Sequence, residues 1–393
     1  MKQFEKEIFK KINFNIDLEN NKDNLTQNIF NQNILVIGGA GTIGASYIKQ
    51  ILKYRPSKIT VVDINENDLT ELTRDLRSSN LLDYNPQYIT YPVNLLSDTF
   101  NKIFNKDSWQ VVANFSAHKH VRSEKDKISI EALIKNNVYG TIKLLNLCEK
   151  NPPKFFFSVS TDKAANPINV MGASKNLMEK LILSKKNDFR VTTARFANVA
   201  FSNGSLLDGF VKRLNKHQPL TCPDDIKRFF VTPLQSGQIC LLATFLGKSG
   251  NIFFPKLDSQ KDQIYFKDIA LDFLIEHGFE PELVKSEQQA KEFNIDSKST
   301  KKYPIYFFKT DTSGEKKFEE FYTKDEDYDI STYNSLGFID SAEIKISFKN
   351  VLVDFNHIFD NLNSNKSDII TVIRKYVPNF EHSETGKNLD QKM

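Results

Sequence analysis

Residues Asn33 to Gly44 read NILVIGGAGTIG, and the fold follows from them. The apolar run predicts a short buried strand, and the segment GASYIKQILKY that continues from Gly44, closed by Pro56, predicts a helix. Between them stand Gly38, Gly41 and Gly44. Gly38 permits a tight turn, Gly41 lets backbone approach a pyrophosphate, and Gly44 lets strand and helix pack closely. The helix N-terminus, which begins at Thr42 and Ile43, then faces the anion. A second strand, KITVVD, ends at Asp63, 19 residues after Gly44. That is the spacing at which a carboxylate meets a ribose 2′-hydroxyl, and no arginine adjoins Asp63 to hold a 2′-phosphate. A dinucleotide site is expected, with NAD preferred to NADP.

Working outward, strand and helix patterns keep alternating. Asn65 is placed to cap a helix bearing Leu69, Leu72 and Leu76 at helical spacing. Strands follow near Tyr88 to Val93 and from Gln110 to Ala117. Asn94 stands just past the first of these, where many dinucleotide folds carry an aspartate toward adenine. The loop HKHVRSEKD after the second holds His118, Lys119 and His120. Two histidines without a third ligand make no metal site, so the loop reads as a cationic segment beside a pyrophosphate. The next helix contains NNVYGT, and FFFSVSTDKAANPINVMGASK follows from Phe155 to Lys175. There an aromatic strand ends at Ser160-Thr161-Asp162-Lys163, and a helix begins that carries Met171 and Lys175. A hydroxyl, an acid and an amine at a strand's carboxyl end lie where open α/β sheets bind ligands.

The alternation predicts an α/β protein with a Rossmann-type doubly wound parallel sheet and a smaller, discontinuous C-terminal lobe. The expected divisions are 1–30, a helical extension; 31–200, the dinucleotide-binding domain; 201–362, a substrate lobe; and 363–393, a helix and flexible tail. In the extension, Phe4, Ile8, Phe9 and Ile12 share one helical face.

Composition narrows the class. The 53 basic and 49 acidic residues are spread along the chain, without the clustered basic stripes that bind nucleic acid. No apolar run reaches the roughly 20 residues needed to span a bilayer. Three cysteines, Cys148, Cys222 and Cys240, lack metal-ligand spacing and suit free thiols in the cytoplasm.

With STDKAANPINVMGASK, the motifs GGAGTIG, AHKHV, RFANV, IKRFFVTP and GEKKFEEF occur in order. On them the chain resembles the extended short-chain dehydrogenase/reductase superfamily, and more narrowly the nucleoside-diphosphate-sugar 4,6-dehydratases of bacterial polysaccharide biosynthesis. The resemblance runs from about Asn33 to about Pro378. It implies tightly held, recycled NAD and a UDP-N-acetylhexosamine substrate, with UDP-N-acetylglucosamine expected. The reaction is oxidation at C4, loss of water across C5 and C6, and hydride return to C6. Lys163 is then the base at C5, if desolvation and neighbouring Lys175 lower its pKa. Asp162 is the acid at C6, if an apolar pocket keeps it protonated. Thr161 hydrogen-bonds the C4 oxygen, and Lys175 orients the nicotinamide ribose. Met171 departs from the superfamily's tyrosine, and a thioether exchanges no proton; the resemblance places the chain in a methionine-bearing branch. It also implies substrate contacts at Asn198, Ser205, Arg228 and Glu315, beside Lys119 and His120. A homo-oligomer formed through helices beside the site, including the one starting at Met171, is a further expectation. A nucleotide-sugar epimerase or a non-catalytic NAD-binding scaffold are the alternatives.

Overall fold

The computed structural model describes residues 12–258, 261–295, 301–310, 314, 316 and 318–382, except for the side chains of 122 and 123. Phe4, Ile8 and Phe9 of the expected N-terminal helix, Glu315 and the tail from 383 onward lie outside the described residues.

Strands β1 (Asn33–Ile37), β2 (Lys58–Asp63), β3 (Gln87–Pro92), β4 (Val111–Asn114), β5 (Phe155–Val159) and β6 (Val191–Ala194) alternate with helices. Short strands β7 (Asn198–Val199), β8 (Leu220–Pro223), β9 (Lys227–Arg228) and β10 (Phe230–Val231) follow. The chain continues through β11 (Asn251–Pro255), β12 (Ile264–Tyr265), β13 (Glu280–Val284), β14 (Lys302–Phe308), β15 (Tyr328–Asp329) and β16 (Leu336–Asp340). The central sheet runs β15-β16-β11-β6-β5-β4-β1-β2-β3. It is parallel from β3 to β11, with β16 and β15 antiparallel at the edge. Strands β1, β4, β5 and β6 are buried almost throughout, because parallel strands are covered on both faces. The order reverses between β1 and β4, and open α/β sheets bind ligands outside the strand ends at such a crevice.

The Rossmann-type α/β expectation is met. The division at residue 200 does not coincide with the sheet's limit, since β11, β15 and β16 come from within 201–362. β11 pairs in parallel with β6, and β16 then pairs back on β11. The segment between β11 and β16 supplies β13 and β14, which join β8 from before β11 in a smaller parallel sheet, β13-β14-β8, with its own apolar core of Leu220, Phe273 and Ile305.

Two helical layers sandwich the central sheet. On one face the helix Pro233–Phe245 crosses the helix Thr42–Ile51 so closely that a Cβ on Gly237 would lie 2.5 Å from the Ser46 carbonyl oxygen. On the other face lies the helix Val170–Leu183, buried along its length except at Lys180. The helices Phe348–Asp360 and Lys366–Tyr376 complete this layer with Val351, Phe355, Ile369 and Ile373, and Lys180 Nζ donates to the Tyr376 carbonyl at 2.8 Å. The expectation that the helix from Met171 forms a subunit interface is therefore corrected: the chain's own C-terminal helices already cover it.

Before β1, the helices Asn15–Asn20 and Lys22–Ile29 pack Phe14, Leu25 and Ile29 into the core. The buried Asp17 carboxylate anchors them by accepting from the backbone N–H groups of Asn334 at 2.8 Å and Ser335 at 2.7 Å, and from both side chains. Burial pushes the Asp17 carboxyl up, but the bonds from Ser335 and Asn334 outweigh it and hold the pKa below the ordinary carboxylate range. A depressed folded-state pKa contributes stability above the unfolded value near 3.9, and that contribution is lost as pH falls through the folded value. Asp17→Ala strands these donors and is expected to lower stability at pH 7 by on the order of 2 kcal/mol. In urea titrations the gap should narrow below pH 4; equal stability at pH 7 would contradict the anchor.

Candidate active site

The carboxyl ends of β1, β2, β4, β5 and β6 present the candidate residues along one edge. Gly38 takes a φ of +69°, and a Cβ there would lie 2.5 Å from the Ser116 nitrogen. A Cβ on Gly44 would lie 2.5 Å from the Gly38 carbonyl oxygen, whereas Gly41 has room and forms the N-cap of the helix Thr42–Ile51. No described side chain caps that helix, so its first amides remain available to an anion. Asp63 ends β2 and accepts from the Ala40 N–H at 3.0 Å, tying its carboxylate to the glycine turn. Asn94 is exposed past the end of β3, its Oδ1 accepting from the Leu96 N–H at 2.7 Å. The missing side chains at Gly38 and Gly44 and the carboxylate at the β2 end fit a dinucleotide.

Beyond β5, Thr161 Oγ1 donates to Asp162 Oδ1 at 2.9 Å, and Lys163 Nζ donates to the same oxygen at 3.1 Å. Glu319 enters from the other side: its Oε1 lies 3.4 Å from Lys163 Nζ and 3.7 Å from Arg228 Nη2. Asp162 and Glu319 are 1% and 2% exposed, and Asp162 Oδ2 and Glu319 Oε2 are buried with no hydrogen-bond partner among the described residues. Burial alone would push the Lys163 amine down, but Asp162 and Glu319 outweigh it and raise the pKa above the usual lysine value. Glu319 is pushed up, by burial first and by the Asp162 charge, against Lys163 and Arg228.

Two expectations change here. Lys163 is not made a neutral base by desolvation, because two carboxylates hold its proton. Asp162 does not sit in an apolar pocket, since a hydroxyl and an ammonium share one of its oxygens. Glu319 was missed as a site residue, although GEKKFEEF contains it. The motif shows a run of charges, and only the tertiary structure turns the second carboxylate of that run onto Lys163.

Met171 is 2% exposed and belongs to the apolar core beneath the helix Val170–Leu183. Asn169 caps this helix, its Oδ1 accepting from Gly172 N–H at 2.7 Å while its Nδ2 donates to the Gly314 carbonyl at 2.7 Å. Asn137, in a π turn at Lys135–Tyr139, accepts from His118 N–H at 2.8 Å and donates to Ser174 Oγ at 3.0 Å. These two asparagines brace the site and are a second gap in the sequence reading.

A cleft of about 520 Å³ lies between this edge and the small lobe, lined by Lys119, His120, Lys163, Asn198, Ser205, Arg228 and Glu319 among others. The structure thus gathers the expected substrate residues, apart from the undescribed Glu315. Lys119 Nζ donates to the Asn203 carbonyl at 2.8 Å, and the Asn203 N–H donates to Thr42 Oγ1 at 3.1 Å, joining the cleft loops to the glycine turn. Ser205 caps the helix Leu206–Asn215 through the Asp208 N–H. Asn198 Nδ2 is buried without a partner among the described residues.

Lys175 is buried and donates to the Val159 carbonyl at 2.9 Å, with Met178 Sδ at 3.6 Å. Burial pushes its amine down to about 8, with Glu179 opposing. An NMR titration of lysine labelled at Cε is expected to show one midpoint near 8, against about 10.4 for a free lysine. That signal should vanish in Lys175→Met and move lower in Glu179→Gln. A Lys175 midpoint left near 10 would refute the assignment.

Comparison with known proteins places the chain. Over 306 residues it is 31% identical to an uncharacterised membrane protein of Methanocaldococcus jannaschii, covering 76% of this chain and 82% of that one. Among the described residues of this chain, no helix is long and apolar enough to cross a membrane. It is 30% identical over 241 residues to the UDP-N-acetylglucosamine 4,6-dehydratase (inverting) of Campylobacter jejuni, covering 58% of this chain and 68% of that enzyme. It spans 38% and 44% of the length of two other bacterial polysaccharide biosynthesis proteins that it matches. The solved structure of Pen from Bacillus thuringiensis superimposes with a TM-score of 0.66 at 21% identity, covering 89% of this chain and 98% of that one. The model of the polysaccharide biosynthesis protein family matches residues 34–339, and the chain belongs to that family, within the extended short-chain dehydrogenase/reductase superfamily.

Proposed function

We propose that the chain is a nucleotide-sugar 4,6-dehydratase that uses NAD and acts on a UDP-N-acetylhexosamine, most simply UDP-N-acetylglucosamine, for surface polysaccharide synthesis. The observation that carries this reading is the connected set Thr161, Asp162, Lys163, Glu319 and Arg228, of which Asp162, Glu319 and Arg228 are buried. It stands at the strand-end edge that also carries the glycine turn, and the helix that follows bears Met171 where the superfamily's tyrosine would be. A plain epimerase or ketoreductase would be expected to keep the superfamily's tyrosine in place of Met171, because a thioether exchanges no proton. A 4,6-dehydration shares the C4 oxidation and needs in addition acid–base groups at C5 and C6, which a carboxylate–ammonium–carboxylate row supplies. The 30% identity to the Campylobacter jejuni dehydratase supports the same choice.

Gly38, Gly41, Thr42, Ile43, Gly44, Asp63 and Asn94 would hold NAD, which when bound supplies the hydride acceptor and donor. Lys175, with its amine pushed down to about 8, holds or releases a proton beside the nicotinamide ribose at little cost near neutral pH. Thr161 donates its proton to Asp162, which leaves Thr161 Oγ1 to act toward a C4 hydroxyl as an acceptor. Lys163 is the proton carrier at C5. Because its ammonium is clamped between two carboxylates, it must pass on a proton before it takes one from carbon. Arg228 and Lys119 suit the diphosphate, a guanidinium through paired contacts and an amine as a point charge.

Purified protein incubated with UDP-N-acetylglucosamine, without added NAD, is expected to give a product lighter by one water in mass spectrometry. An unchanged mass would sink the reading, and an isobaric product with a changed proton NMR spectrum would favour an epimerase. Lys163→Met is expected to lower the rate by at least about 100-fold, the low end for one acid–base group, while the protein still binds NAD.

A further inference from the structure

Resting on the dehydratase reading, we propose that Glu319 is the acid that protonates the departing C6 hydroxyl, with Asp162 left as the positioning residue for Lys163. The geometry separates the two carboxylates. Glu319 and Lys163 line the cleft, whereas Asp162 is not among its lining residues. Asp162 Oδ1 is shared by Thr161 and Lys163, which fixes the ammonium from behind. Glu319 meets Lys163 from the cleft side at 3.4 Å, and its second oxygen is buried without a partner among the described residues. A carboxylate oxygen kept from water and left unpaired is poised to take a proton and give it to an entering hydroxyl.

The proton inventory closes on this pair. In the resting protein Lys163 is an ammonium and Glu319 a carboxylate; transfer of one proton between them gives an amine and a carboxylic acid. The C5–H bond of the 4-keto sugar then breaks toward the Lys163 nitrogen, which keeps the proton. The C5–H electron pair becomes the C5–C6 double bond as the C6–O bond breaks. The Glu319 proton joins the departing oxygen, which leaves as water. Lys163 is again an ammonium and Glu319 a carboxylate, so elimination restores the ion pair, and no oxidant or reductant enters this step.

The test compares two substrates in the full-length protein: UDP-N-acetylglucosamine and its 6-deoxy-6-fluoro analogue, whose fluoride leaves without needing a proton. In Glu319→Gln, assayed at a pH high enough for Lys163, freed of one of the two carboxylates that hold its proton, to lose that proton to solvent, water loss from the hydroxyl sugar is expected to fall at least about 100-fold, while fluoride release falls less than about 10-fold. In Asp162→Asn both rates should fall together. The ratio within one variant is read, so partial loss of folded protein cancels; Glu319→Asp, which keeps an acid, should return the ratio toward the wild-type value. Equal slowing of both substrates in Glu319→Gln, no slowing, or the selective pattern in Asp162→Asn would overturn the assignment. A wild-type protein that releases neither water nor fluoride would overturn the dehydratase reading itself, a different result from an active wild type indifferent to Glu319.

Discussion

Arg195, just past the end of β6, spends all five guanidinium N–H groups inside the protein. Nε donates to Glu179 at 3.1 Å and Nη2 to Glu179 at 2.9 Å and Glu326 at 2.7 Å. Nη1 donates to Glu326 at 2.8 Å and to the Phe321 carbonyl at 2.9 Å. Burying such charges costs several kcal/mol per ion, and the arrangement holds only because the hydrogen bonds are complete and the geometry bidentate. A lysine could not reproduce the planar fork. This one side chain joins the central sheet, the helix that carries Lys175 and the segment that carries Glu319. The position of Glu319 against Lys163 depends on it, because Phe321 lies two residues further on and is held by its backbone.

The two active-site lysines show how partners decide the sign of a shift that burial begins in the same direction for both. Lys175 faces a carbonyl and a thioether, with one carboxylate, Glu179, already engaged by Arg195; burial wins and the amine is pushed down to about 8. Lys163 lies between Asp162 and Glu319, and their charges win over burial and over Arg228. A lysine held as an ammonium suits a reaction in which a proton is moved internally before carbon is deprotonated. A lysine close to neutrality can change its hydrogen bonding without a large energetic penalty.

Much of the fold was legible in the sequence because its signals are local. The glycine turn, the buried strands β1, β2, β4 and β5, and the cap at Asn65 each follow from a few adjacent residues. The candidate residues were legible for the same reason, since each sits at a strand end or on a first helical turn. The return of β11 and β16 to the central sheet was not legible, because pairing partners some 60 to 90 positions apart leave no periodic trace in either segment. Nor was the role of the C-terminal helices, whose apolar faces could equally have met a second subunit.

What the sequence by itself determined is the type of site: a glycine cradle, a carboxylate at the β2 end, and a hydroxyl, acid and amine in series with methionine in place of tyrosine. Those are properties of residue identity and short spacing, which survive any packing of the chain. The charge state of that site was decided only by the tertiary structure. Glu319 lies 156 positions beyond Lys163 and reaches it through the Arg195 clamp, and electrostatic shifts in a buried site depend on distances of a few ångströms that spacing along the chain does not contain.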